Sequence, residues 1–141
     1  MPWWKKLLGD TETEEVDYDR EGLELLQVGK YHEAVTSFRL ALRETPHDTA
    51  VLQQIAIAYT RIGMTGEAIK TYRTVLQQDR DASGAHYGLA FLLLQEGEPE
   101  EATEHLREFL RAAPDGPDAQ RHVDHARQKL AELTGSDPVA T

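Results

Sequence analysis

The side chains of this 141-residue chain that could do chemistry are its histidines and carboxylates. His122 and His125 stand three residues apart, with Asp118 one turn earlier and Asp124 between them. On a helix the two imidazoles share a face and could share a divalent ion. A stable site converges several ligands, and no third one is fixed by the spacing, so the pair reads as a solvated helix face and no metal is expected. Glu100, Glu101, Glu104 and Glu108 also align at helical spacing, but Ala102, Leu106 and Phe109 occupy the other side of the same stretch. That is the amphipathy of a surface helix rather than an acid–base pair. The stretch from Gly63 to Gly66 lacks the lysine and the preceding strand of a phosphate loop. No serine or threonine has a recognisable base arrangement. The absence of cysteine removes thiol catalysis, disulfides and thiolate zinc sites. The expectation is a protein that is not an enzyme and needs no cofactor.

Charge narrows the partners. Fifteen Lys and Arg against 25 Asp and Glu leave a net charge of −10. Nucleic acid needs a basic stripe to displace counterions, so it is not an expected partner. An acidic, solvated surface that keeps the chain soluble is the plain reading. No apolar run approaches the roughly 20 residues that span a bilayer. The N-terminus lacks the apolar stretch and cleavage site of a secretory signal. A soluble, cytoplasmic protein of one domain is the default expectation.

The elements that must position any site are set by a repeat. Gly29-Lys-Tyr-His-Glu33-Ala34 is followed 34 residues on by Gly63-Met-Thr-Gly-Glu67-Ala68, and 34 further on by Gly97-Glu-Pro-Glu-Glu101-Ala102. Gly22, Ala56 and Ala90 are small at the same period, and Leu25, Tyr59 and Leu93 are large. Phe38, Tyr72 and Leu106 are large again, and Leu42, Leu76 and Leu110 follow Ala41, Val75 and Phe109. Within one period, Ala34, Val35, Phe38, Ala41 and Leu42 form one helical stripe. A second stripe precedes Gly29, where a helix end needs a residue tolerant of positive φ. Each period is thus a helix hairpin that cannot bury its apolar faces alone, so neighbours must stack.

Punctuation fits this reading. Pro46 and Pro114 follow second helices, Pro99 suits a first helical turn, and Thr65 is the expected N-cap of its helix. Pro117 opens a last helix with the stripe Ala119, Val123, Ala126, Leu130 and Leu133, and Gly135 ends it. It has no partner helix after it and reads as a cap on the open end of the stack.

This pattern resembles the tetratricopeptide repeat (TPR) family. The resemblance implies an all-α fold: a right-handed superhelical stack of three helix hairpins plus a C-terminal capping helix. The repeats run over 15–48, 49–82 and 83–116, and the cap over 117–134. Residues 1–14 are then a flexible Trp/Lys-rich segment with an acidic linker, and 135–141 a disordered tail. The chain departs from the family in places. Arg80 stands where a proline would fall, and Tyr18 and His86 where tryptophan is common. Glu21 stands where Ile55 and Leu89 fill the core, which makes the first repeat the one expected to fray.

In this family the first helix of each pair lines a concave surface. By position, the resemblance gives three rungs: Asp19, Leu23, Leu26 and Gln27; Gln53, Ile57, Thr60 and Arg61; Tyr87, Phe91, Leu94 and Gln95. Leu23, Ile57 and Phe91 are one full period apart and are expected to form a continuous apolar stripe. Some members grip a partner's terminal carboxylate with cationic residues. The matching positions here hold Asp19, Leu23, Gln54, Gly84 and Gly88, so no such clamp is expected. The groove suits an apolar or amphipathic protein segment, with Gln27, Gln53, Arg61 and Gln95 meeting its polar groups. The alternative is that some of these side chains pack on each other or on the cap.

Trp3, Trp4, Leu7 and Leu8, with Lys5 and Lys6 between them, form a separate candidate docking segment. It has four possible fates. It docks in the chain's own groove, in a neighbouring copy's groove to build a homo-oligomer, at a membrane surface or separate partner through residues 1–9, or remains a plain tail. Two functions follow: an adaptor that binds a partner's segment, or a self-associating scaffold held by this tail.

Overall fold

The computed structural model of the chain describes residues 16–136. Seven helices run in order: α1 (Tyr18–Gln27), α2 (Tyr31–Glu44), α3 (Thr49–Ile62), α4 (Thr65–Gln78), α5 (Ser83–Gln95), α6 (Pro99–Ala112) and α7 (Pro117–Thr134). Among the described residues there is no strand. The fold is all-α, as the period requires: α1/α2, α3/α4 and α5/α6 pair as hairpins, the hairpins stack in chain order, and α7 packs on α6.

Each hairpin turn is built the same way. Gly29, Gly63 and Gly97 have φ of 81°, 91° and 76°, the left-handed region that favours glycine. That turn lets the following amide reach back across the helix end. Lys30 N donates to Leu25 O at 2.9 Å, Met64 N to Tyr59 O at 2.9 Å, and Glu98 N to Leu93 O at 2.9 Å. Carbonyls that a helix end would leave orphaned are thereby satisfied. The chain re-enters the helix so quickly that Thr65 is already its first residue. The cap position is Met64, which offers no side-chain bond. The expected Thr65 cap is thus displaced by one residue. Asp48 does cap α3, accepting from Ala50 N at 3.0 Å and Val51 N at 3.2 Å.

The periodic small residues set how near the helices approach. Ala34, Ala68 and Ala102 are fully buried. A Cβ on Gly22 would lie 2.6 Å from the Phe38 ring, so α1 sits this close to α2 because that side chain is missing. Ile55 and Leu89 are buried where their period-mate Glu21 is exposed. The α4–α5 connection, which carries Arg80 in place of proline, is held by other means. Asp79 Oδ1 accepts from Asp81 N at 3.0 Å, and Arg111 reaches Asp81 at 2.8 Å. In α7, Val123 and Ala126 are buried as their spacing implies, and Ala131 joins them from outside the expected stripe. Gly135 ends the helix with φ of 71°. No helix among the described residues is long and apolar enough to cross a membrane.

Candidate functional site on the inner face of the stack

The first helices α1, α3 and α5 lie side by side. The face they share holds a cavity of about 510 Å³, lined mainly by apolar surface, at the α3–α5–α7 end. Ile57 from α3 and Tyr87 and Phe91 from α5 form its wall, with Thr60, Arg61 and Gln95 at its polar margin. These six belong to the second and third expected rungs. The others lie elsewhere. Leu26 and Leu94 pack partly buried against the core. Gln53 is partly buried, and its Oε1 would be 3.1 Å from a Cβ on Gly84. Gln27 is exposed, and so is Leu23 at 37%. The apolar stripe therefore runs through Ile57 and Phe91 into the cavity, while Leu23 lies outside the lining. Trp3, Trp4, Leu7 and Leu8 lie outside the described residues.

Several lining residues escape the period. Tyr72 belongs to α4, a second helix, yet it reaches the cavity floor. It does so past Gly88, where an added Cβ would lie 2.5 Å from the Tyr72 ring. The signal was present in the sequence as a glycine in mid-helix, which marks a close approach. Burial pushes the Tyr72 phenol up to about 12, against a smaller opposite pull from the neighbouring Thr60 hydroxyl. Phe109 of α6, Pro114 and Ala119 complete the apolar lining from the far side.

The capping helix does more than cover the end. His122 stands edge-on to Tyr87 with ring centroids 4.9 Å apart, and His125 stacks on Phe91 at 4.6 Å and 13°. His125 Nδ1 is also 2.7 Å from the Tyr87 hydroxyl. Phe109 meets Tyr87 edge-on at 5.0 Å. The expected solvated histidine face is thus corrected in part: both imidazoles are exposed, yet their rings brace the aromatic wall. Each such ring pair contributes about 0.5–1.5 kcal/mol beyond its buried area. Burial raises the Tyr87 phenol above its ordinary value. Among the described residues no three His, Cys, Asp or Glu side chains converge as a metal site would require.

The opposite end of the face is acidic. The Asp19 carboxyl is raised first by desolvation and then by the neighbouring charges of Asp48 and Asp17. The clamp positions Gly84 and Gly88 line the cavity. A cationic side chain at Gly88 would displace Tyr72.

Comparison with known proteins gives a consistent picture. A family profile described as "Tetratricopeptide repeat" matches residues 25–81 and again 63–130. An inactive TPR repeat-containing thioredoxin, TTL3, from Arabidopsis thaliana is 33% identical over 102 residues, which are 72% of this chain. The chain spans about 15% of that relative's length. The type III secretion translocator chaperone SycD of Yersinia enterocolitica, solved with a peptide of the translocator YopD, superposes with a TM-score of 0.77 at 20% identity. That match covers 83% of this chain and 89% of SycD. PcrH, solved with the chaperone-binding region of PopD, superposes at 0.75 and 18% identity, over 84% of this chain and 89% of PcrH. The first TPR of Spaghetti, bound to an HSP90 peptide, superposes at 0.69 and 20% identity, over 81% of this chain and 90% of that one. At these identities the likeness is one of fold.

Proposed function

The chain belongs to the tetratricopeptide repeat family, and from this premise we propose that it is a non-enzymatic adaptor whose inner face holds an apolar or amphipathic segment of a partner protein. One observation carries the reading: a largely apolar cavity of about 510 Å³ between α3, α5 and α7, walled by Ile57, Tyr87 and Phe91. Apolar surface of that kind gains by covering it, and the volume suits bulky side chains presented at helical or extended spacing. Thr60, Arg61 and Gln95 at the margin can pair with the segment's backbone or polar side chains. The YopD and PopD complexes of SycD and PcrH support the reading by analogy of fold alone.

The test is a fluorescence-anisotropy titration of labelled synthetic amphipathic segments, about 15 residues each, against the full chain. A segment that binds should lose at least about tenfold in affinity on Phe91→Glu, which places a charge in the apolar wall, while helical circular dichroism is kept. Leu23→Glu should have a smaller effect, because Leu23 lies outside the cavity. Undiminished binding by Phe91→Glu would sink the reading. Binding that emerges only after residues 1–13 are deleted would favour the alternative, in which the tryptophan-containing tail fills a groove of its own or of a neighbouring copy.

A further inference from the structure

His86 of α5 and His105 of α6 face each other inside the third hairpin, outside the lining of the cavity. Their Nδ1 atoms are 3.0 Å apart and the rings are tilted by 35°. His86 is buried. Its Nε2 lies 2.7 Å from the carbonyl oxygen of Arg80. A carbonyl oxygen only accepts, so Nε2 of His86 carries a proton. In the neutral ring Nδ1 of His86 is then an acceptor, and Nδ1 of His105 must donate to it. What remains is Nε2 of His105, 3.6 Å from Glu101 Oε1.

This arrangement has room for one more proton but not two. The first can sit on Nε2 of His105, facing the Glu101 carboxylate, with every existing bond kept. The second would have to sit on Nδ1 of His86. Two N–H groups would then point at each other across 3.0 Å, between two cations. We propose that His86 and His105 form an acid-sensitive latch, which holds α5 on α6 with at most one extra proton and opens when both rings are charged.

The surrounding charges do little to relieve the second proton. From α4, Arg73 binds both oxygens of Glu101 at 3.0 and 3.1 Å, so this counter-charge is shared. From the α4–α5 connection come Arg80 and Asp81, and from α6 come Glu108 and Arg111. Arg111 already pairs with Asp81 at 2.8 Å and Glu108 at 2.9 Å. Burial first, and then the charge on His86, hold the His105 imidazole below its ordinary value of 6.5, against an upward pull from Glu101. The sign follows. The unfolded chain protonates His105 near its ordinary value of 6.5, while burial makes the folded ring resist that proton. The latch's contribution is therefore complete above that pH and is lost as pH falls from it through the folded value. Tyr87 is the next residue on α5, so opening the latch would disturb the aromatic wall of the cavity.

The test combines two measurements on the full chain. An NMR titration of the six imidazoles should show His86 and His105 titrating as a coupled pair rather than as two independent rings. Denaturant unfolding at pH about 7.5 and 5.5 reads the linkage, since each proton held in excess by the unfolded chain raises the unfolding constant about tenfold per pH unit. His105→Gln keeps a donor for His86 but cannot titrate. It should remove about tenfold of the acid-induced rise. Equal pH dependence in the two proteins, or two rings titrating independently near pH 6.5, would overturn the latch. If the variant does not fold, the titration of the unaltered chain decides alone.

Discussion

The two ends of the inner face are made by helices of the same rank, α1 and α5, and they differ in almost every physical respect. Helix α1 has 10 residues, of which Gly22 alone is buried. Helix α5 has 13, with Ala85, His86, Leu89, Ala90, Leu92 and Leu93 all buried. The α1 end carries the carboxylates Asp17, Asp19 and Asp48, whose mutual repulsion contributes to raising Asp19. The α5 end carries Tyr87 and Phe91, braced by two histidines from α7. Position in the stack explains the difference. Helix α5 has neighbours on both sides, α3 and α4 before it and α6 behind it, whereas among the described residues α1 has none before it. An enclosed helix can be apolar on nearly every face, but a terminal one must keep a wet side. An apolar cavity therefore forms where the stack is enclosed.

Three perturbations would sharpen or break this contrast. The largest effect is expected at the outward core position. Leu89→Ala leaves a cavity beside fully buried neighbours and should cost about 3 kcal/mol in denaturant unfolding. Glu21→Ala, its exposed period-mate, should be close to neutral. Equal costs would mean that the first hairpin is as tightly enclosed as the third.

Next comes alkaline pH. The Tyr72 phenol, pushed up to about 12, stays neutral in the folded chain while the unfolded chain ionises near 10. Its contribution is full below pH 10 and is lost progressively as pH rises from about 10 to 12, up to about 2–3 kcal/mol. Phe38, one period earlier, has no such dependence. Tyr72→Phe should abolish this loss and be close to neutral at about pH 7. Alkaline unfolding unchanged in Tyr72→Phe would place the sensitivity elsewhere.

The smallest effects compare two close approaches. A Cβ on Gly88 would meet Tyr72 at 2.5 Å, and one on Gly22 would meet Phe38 at 2.6 Å. The clashes are alike, but the restraints are not. Helix α5 is held on both sides, so Gly88→Ala should cost about 1–2 kcal/mol by thermal unfolding. Helix α1 can shift outward, and its period-mates Ala56 and Ala90 already carry a Cβ. Helix propensity also favours alanine, so Gly22→Ala should stay within about 1 kcal/mol. A larger penalty at Gly22 than at Gly88 would reverse the ranking of the two ends.

Much of this architecture can be read from the residues, for identifiable reasons. A fixed period of small, large and glycine positions specifies helix hairpins, because a glycine at positive φ and a stripe at 3.6 spacing are local requirements. The same period sets Ile57 and Phe91 side by side, with Tyr87 one turn before Phe91, and the family resemblance implies that they share the concave face. It misses what comes from other elements. Tyr72 enters from a second helix through the gap at Gly88, and Phe109 enters from α6. His122 and His125 look like a solvated pair in the sequence, because neither belongs to the apolar stripe of their own helix. They become part of the aromatic wall only because α7 lies across the end of α5. The His86–His105 contact is likewise invisible in the period, where His86 registers only as a missing tryptophan.

The sequence by itself thus determined the helices, their turns and their pairing, since all three rest on local geometry or residue type. The tertiary structure alone decided where along the face an apolar cavity opens, which second-helix and cap side chains complete it, and which two histidines share a proton. Those depend on distances between elements, set by the crossing and close approach of whole helices, and no spacing along one chain encodes them.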